Sequence, residues 1–191
     1  MRNLHILQKQ TLALSNYLQE ADTVASACLD EFNQVLFLYT LQHTVHVFRL
    51  SSAGSSMADK YEHLVSRSVA DVLDEGEEEE EEGGAGKAGV RLVAVEFVHE
   101  MEGVVMAYSS GQILLYKHET NQILEVGGVP DAAIIAAKWS PNQEYYAVAT
   151  DEGKLLLFTP EWDVLYEKDI DDGDMTFEPG KEVTEDDTYI A

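Results

Sequence analysis

The sequence holds 191 residues, 45% of them hydrophobic, with 12 lysines and arginines against 36 aspartates and glutamates and a formal net charge of −24. That length suits one ordinary core, but so acidic a chain gains nothing from releasing the counterions of a phosphate backbone, which argues against direct nucleic-acid binding by this piece alone. No apolar run approaches the roughly 18 residues needed to cross a bilayer, and one cysteine, Cys28, allows no intrachain disulfide.

Residues 1–22 read as an N-terminal strand segment, in which Leu4, Ile6, Leu12 and Leu14 alternate with Gln8, Gln10, Thr11 and Ser15. Residues 11–18 also fit a short helix. Residues 23–67 hold four strands, at 24–29, 35–40, 44–50 and 61–67, with turns at Asp30-Glu31-Phe32-Asn33 and Leu41-Gln42-His43. Cys28 lies inside the first of these strands and reads as a buried bystander.

Residues 68–90 change character. They contain Asp74-Glu75-Gly76, six glutamates from Glu77 to Glu82, and Gly83-Gly84-Ala85-Gly86. A segment that repels itself and has little apolar surface to bury is expected to be a disordered acidic and glycine-rich loop. Its cost to the fold is small, since doubling a flexible loop costs only about 0.6 kcal/mol in closure entropy.

Residues 91–130 and 131–170 each repeat the four-strand pattern. In the last copy, 134–139 ends in Trp139, and Ser140-Pro141-Asn142-Gln143 forms a turn whose proline presets φ. A strand at 145–150 leads into Asp151-Glu152-Gly153, a hairpin loop in which glycine takes positive φ without strain. Strands at 154–158 and 164–168 follow, separated by the break at Pro160-Glu161. An offset of 42 superposes Phe97 on Trp139, Ala107 on Ala149, Gly111 on Gly153 and Tyr116 on Phe158, and an offset of 68 places Tyr39 on Ala107 and Phe48 on Tyr116. The excess of 26 residues predicts an insertion between the first and second copies. Residues 171–191 form an acidic tail with too few apolar residues for a fourth copy.

Four short strands in about forty residues, repeated, is the sequence form of a β-propeller blade. The fold class is therefore all-β, a partial propeller of about three four-stranded blades with an acidic insertion and tail. Three blades do not close a ring, so the chain is read either as a fragment of a larger propeller or as one whose outer units come from elsewhere. In propellers an N-terminal strand such as 1–22 closes the ring by joining the last blade.

No catalytic, cofactor-binding or metal-binding residue is assigned. Gly83-Gly84-Ala85-Gly86-Lys87-Ala88 lacks the hydroxyl residue after lysine and the preceding strand that a phosphate loop needs. His43 and His46, three residues apart in extended chain, point to opposite faces, and no third ligand follows at metal spacing. Trp162-Asp163 matches the WD dipeptide, yet the offset of 42 places Trp162 in a turn after the third strand. Trp139, Phe97 and Tyr116 read as core aromatics between sheets.

Three passages carry a family resemblance. They are the opening Met1-Arg2-Asn3-Leu4, the stretch IIAAKWSPNQE at 134–144 continuing through AVAT at 147–150, and TPEWDVL at 159–165 followed by Asp171-Asp172. Together they resemble the N-terminal WD-repeat propeller region of the largest, scaffold subunit of the Elongator complex. The resemblance implies a non-catalytic scaffold that supports modification of tRNA wobble uridine at carbon 5. It implies as partners the other Elongator subunits, including the catalytic one that carries the iron–sulfur cluster and uses acetyl-CoA, with tRNA reached only through the complex. It implies no cofactor for this chain, while the lack of an apolar stretch after Arg2, of a membrane-length run and of an Asn-x-Ser/Thr site points to the cytosol or nucleus and to no membrane contact. The alternative is a free-standing WD-repeat adaptor that docks basic protein partners through its acidic tracts. An enzyme is the third reading. After Asp174 the sequence departs from the family, which continues with a glycine- and tryptophan-containing segment and further blades.

Overall fold

The computed structural model describes residues 14–18, 22–50, 61–73 and 89–170. Through them run the strands β1 (Val24–Asp30), β2 (Val35–Thr40), β3 (Thr44–Leu50), β4 (Tyr61–Ser68), β5 (Leu92–Val98), β6 (Gly103–Tyr108), β7 (Gln112–Lys117), β8 (Gln122–Gly128), β9 (Ile134–Trp139), β10 (Tyr146–Thr150), β11 (Lys154–Phe158) and β12 (Val164–Asp169). They form three four-stranded antiparallel sheets, each a meander in sequence order. β1 lies beside β5 and β5 beside β9, so the sheets stack about their first strands as propeller blades do, and every residue of β12 is exposed.

The sheets agree residue by residue. Tyr39 pairs with Ser26 and Val45, Ala107 with Ala94 and Ile113, and Ala149 with Ala136 and Leu155. All nine positions obey the offsets of 68 and 42. Each first strand also skips one residue at the same place, leaving Ala25, Val93 and Ile135 unpaired. A bulge shared by all three sheets bends their inner strands alike.

The core is two inter-sheet layers. Val35, Phe37, Tyr39, Val45 and Val47 pack with Phe97, Val104, Met106, Tyr108, Leu114 and Tyr116 between the first and second sheets. Val105, Ala107, Ile113 and Leu115 pack with Ile134, Trp139, Tyr146, Val148, Leu156 and Phe158 between the second and third. Successive residues of β6 therefore serve opposite layers, and its six residues are all buried. Each large aliphatic or aromatic side chain so enclosed contributes about 1.5–3 kcal/mol relative to exposure.

Three expectations are corrected. Of the two readings of the N-terminal segment, the strand gives way to the short helix over 11–18: Leu14–Asn16 form a 3-10 turn, held by the Tyr17 and Leu18 N–H groups donating to the Leu14 carbonyl at 2.9 and 3.0 Å. Residues 1–13 and 19–21 lie outside the described residues. The loop expected to be disordered over 68–90 starts as packed chain: Val69 and Leu73 are buried in the first layer, Val90 packs against it, and the N–H groups of Val72 and Leu73 donate to the Val69 carbonyl. Apolar side chains spaced four apart overrode the acidic composition around them. Residues 74–88, with the glutamate run and the Gly83 to Ala88 stretch, lie outside the described residues, as do 171–191. Finally, the insertion is split. Phe48 pairs with His63 where Tyr116 pairs with Ile123, an offset of 60 and not 68, so eight of the extra residues fall between β3 and β4 and the other 18 between β4 and β5.

Strand β10 begins one residue later than expected, at Tyr146, because the Tyr145 carbonyl accepts from the Ser140 N–H at 2.8 Å and belongs to the turn.

Candidate functional site

The polar groups with chemical potential lie at the joints between sheets. At the first joint, the Tyr108 hydroxyl donates to the Tyr39 hydroxyl at 3.0 Å, and Tyr39 OH lies 2.6 Å from His43 Nδ1. Only the imidazole tautomer protonated on Nε2 accepts that hydrogen. His43 takes φ 53°, in the position where the other two repeats place Gly111 (φ 90°) and Gly153 (φ 76°). The bond to Tyr39 holds a residue with a side chain in a conformation that glycine adopts freely. Phe37 stacks on Phe97 at 5.6 Å, and His99 meets Phe97 edge-on.

At the second joint, Glu96 of β5 accepts from the Trp139 N–H at 3.0 Å and from Lys138 Nζ at 2.9 Å. Gln143 donates to the Phe97 carbonyl and accepts from the His99 N–H, both at 3.0 Å. The β9–β10 turn thus closes the end of β5. Trp139, Tyr146 and Trp162 form an aromatic trio with centroids 4.9–5.8 Å apart. Trp162 lies in a turn, as the offset predicts, at φ 71°. That conformation is strained for a bulky residue, and it lays the ring against Gly127 of the second sheet. Sequence reasoning gave Trp162 no packing role. The cue was the Gly127-Gly128 pair one repeat earlier, which leaves room for a ring.

The inner strands carry Cys28, Glu96 and Lys138 at repeat-equivalent positions. Burial, with a smaller contribution from Glu96, pushes the Cys28 thiol up to about 12, which keeps it protonated and a poor nucleophile at neutral pH. His46 and His63 flank Ser66, whose Oγ lies 2.7 Å from His46 Nδ1 and 2.9 Å from His63 Nε2. Burial and the neighbouring His63 hold His46 below the usual imidazole range. An activated hydroxyl also needs donors aimed at a developing oxyanion, whereas His46 and Ser66 are direct cross-strand partners inside a hydrogen-bonded ladder. The arrangement ties β3 to β4. His43 and His46 serve different faces, one bonded to Tyr39 and the other to Ser66. Among the described residues, no group of three His, Cys, Asp or Glu side chains is placed to hold a metal ion.

What the described surface offers is apolar contact. Asp30, itself buried, accepts from the N–H groups of Phe32 and Asn33 at 3.0 and 3.1 Å and from Asn33 Nδ2 at 2.8 Å. This fixed turn holds out Phe32, which is 89% exposed. Leu29 and Tyr145 are exposed at the same rim, Leu41 at the opposite one, and Val164, Leu165 and Tyr166 along β12. Such side chains on rigid turns and strand edges suit protein contact, which draws on buried aromatic area and needs no reactive group.

A family model described as the ELP1 first N-terminal beta-propeller matches residues 1–185. Elongator complex protein 1 of Mus musculus is 32% identical over 93 residues, covering 49% of this chain and 7% of that protein. The protein of the same name from Drosophila melanogaster is 33% identical over 80 residues, covering 42% and 6%. The chain thus spans less than a tenth of the length of these relatives. Among solved structures, the C-terminal WD40 domain of Sif2 superposes with a TM-score of 0.52 at 12% identity, over 79% of this chain and 38% of that one. This likeness bears on the fold alone.

Proposed function

The chain belongs to the ELP1 first N-terminal beta-propeller family, and from that membership we propose that it serves as a non-catalytic scaffold part of the Elongator complex. Its task is to present surface to other Elongator subunits, including the catalytic one, in support of tRNA wobble-uridine modification at carbon 5. The observation that carries this reading is the match along residues 1–185. The use of the joint polar groups in inter-sheet bonds supports it, as does the display of Phe32 on a fixed turn. tRNA is reached through the complex, since the chain's net charge of −24 disfavours phosphate contact. The proposed place of action is the cytoplasm, with the nucleus in second place.

The test is affinity purification of the tagged chain from cells, with mass spectrometry of the recovered proteins and of tRNA nucleosides. Recovery of Elongator subunits, with loss of the carbon-5 modification when the chain is displaced from them, is the expected result. Recovery only of basic proteins that wash off in salt would overturn the scaffold reading in favour of an acidic adaptor.

A further inference from the structure

The polar groups of the first joint form a row whose two ends lie in different surroundings. At the rim, His43 is half-buried, and its Nδ1 accepts from the Tyr39 hydroxyl at 2.6 Å. Tyr39 in turn accepts from the Tyr108 hydroxyl at 3.0 Å. Beyond Tyr108, the sulfur of the fully buried Met106 lies 3.5 Å from the same hydroxyl. The row thus runs from a ring that water reaches to a thioether that it does not.

With a neutral ring, the Tyr108 hydrogen is spent on Tyr39 and the Tyr39 hydrogen on His43. A protonated imidazole is a donor at both nitrogens. Its Nδ1–H then donates to the Tyr39 oxygen, so the Tyr39 hydrogen needs another acceptor, and the Tyr108 oxygen is in place at 3.0 Å. That displaces the Tyr108 hydrogen, for which the Met106 sulfur is a weak acceptor within reach. Without the sulfur, a buried hydroxyl would be left unmet, at the full cost of its desolvation.

We propose that the row reverses when His43 takes a proton, with the Met106 sulfur as its inner terminus, so that the buried bond between the first and second sheets persists on both sides of the imidazole titration. The ring gains one proton from water, the two hydroxyl hydrogens turn about their C–O bonds, and no proton crosses the joint. Leucine would fill much the same space as Met106, so what methionine adds is the acceptor. The repeat agrees with this. Leu38 and Val148 stand at the positions of Met106 in the other sheets, and Thr40 and Thr150 at those of Tyr108. Sulfur and phenol occur together only in the sheet that faces the histidine, and the turns equivalent to that of His43 carry Gly111 and Gly153.

Among the described residues, the titratable groups against the ring are Tyr39 of β2 and Tyr108 of β6. The backbone brings three charges to its neighbourhood. Asp22 accepts from the Gln42 N–H at 3.2 Å, Asp71 lies in the turn whose Val69 N–H donates to the His43 carbonyl at 2.7 Å, and Arg67 of β4 pairs with Val45. The acids favour the protonated ring and the arginine opposes it. All three are unchanged in the variants below, so they set where the ring titrates and not how that point moves.

Nuclear magnetic resonance titration of the histidine rings in the full 191-residue chain tests this, with the His43 signal identified by its loss in His43→Gln. Met106→Leu should lower the His43 midpoint, because the protonated state loses its last acceptor. Tyr108→Phe should lower it too, and in that background Met106→Leu should shift nothing further, since the sulfur then has no hydroxyl to serve. A lower folded midpoint fixes the sign for stability: relative to wild type, Met106→Leu should be constant above the ordinary imidazole value of about 6.5 and lose stability as pH falls through it. Equal midpoints in wild type and Met106→Leu would overturn the proposal. So would a Met106→Leu shift that persists beside Tyr108→Phe, which would mark it as packing, or a His43 ring that stays neutral until the chain unfolds. Should Met106→Leu fail to fold, Tyr108→Phe alone decides, and an unmoved or raised midpoint there counts against the reversal.

Discussion

The hydroxyl of Tyr108 donates to the hydroxyl of Tyr39 across 3.0 Å, with ring centroids 6.2 Å apart, so a buried hydrogen bond joins the first and second sheets. Both rings are nearly inaccessible to solvent, and both phenols are harder to ionise than in water. Burial lifts Tyr39 to about 12 from 10.0, and Tyr116 likewise, while Tyr108 and Tyr146 are pushed higher still.

The sign of the pH dependence follows. Folded-state values lie above unfolded ones, so the unfolded chain loses these protons first, and the stability they support is complete below about pH 10 and declines above it. We expect cooperative alkaline unfolding between about pH 10 and pH 12, with tyrosine absorbance and circular dichroism changing together. Tyr146→Phe should move that midpoint upward. Phenols that ionise near pH 10 while the sheets stay intact would contradict the burial.

Trp139 fills the second joint, and among the described residues its Nε1 has no hydrogen-bond partner. Trp139→Ala should therefore cost about 3–5 kcal/mol through the cavity left behind. Trp139→Phe should cost clearly less, because it keeps an aromatic ring and removes an unmet donor. Chemical denaturation of the two variants measures the difference, and equal losses would show that the indole N–H is satisfied in solution.

Gly111 and His43 occupy equivalent turns under different constraints. A side chain at Gly111 would collide with the Val129 carbonyl and meet the Ala132 carbonyl oxygen at 2.8 Å, with φ at 90°. Gly111→Ala should destabilise by more than about 1 kcal/mol. His43→Gly relieves a positive φ worth about 1–2 kcal/mol while losing the Tyr39 bond, worth about 1, and the ring contacts with Tyr39 and Tyr108, and should destabilise less than Gly111→Ala. Thermal melts of both variants check the contrast.

Cys28 tests the inner strands. With its thiol near 12, alkylation at neutral pH should be slow in the folded chain and rise on unfolding. Glu96→Gln removes the lesser cause of that shift and should speed the reaction modestly, without a large change in melting temperature, since Lys138 is 78% exposed and such pairs contribute about 0–1 kcal/mol.

Much of the fold was legible because its signals are local and repeat. Gly111 and Gly153 mark equivalent hairpin loops, and the strands between such punctuation alternate at period two, so register followed from the offset alone. His43 hid the third member of that set, since its positive φ depends on Tyr39, a contact no turn rule encodes. Trp162 and Tyr17 were hidden for the same reason: each is defined by contacts distant in sequence, Trp162 by Trp139, Tyr146 and Gly127, and Tyr17 by Phe48 and His63. Val69 and Leu73 were lost among acids, where composition spoke louder than two spaced side chains. The candidate surface was less legible still, because Phe32 reads as an ordinary turn residue until Asp30 is seen holding the turn.

The double burial of β6 reaches back into synthesis. A ribosome that has released β5 to β8 but not yet β9 has made a sheet whose Val105, Ala107, Ile113 and Leu115 have nothing to cover them. For that interval the nascent chain carries an apolar wall built to accept a sheet, and any chain that offers one first is a competitor. The forty or so residues that follow are thus a race against misassembly as well as the next repeat.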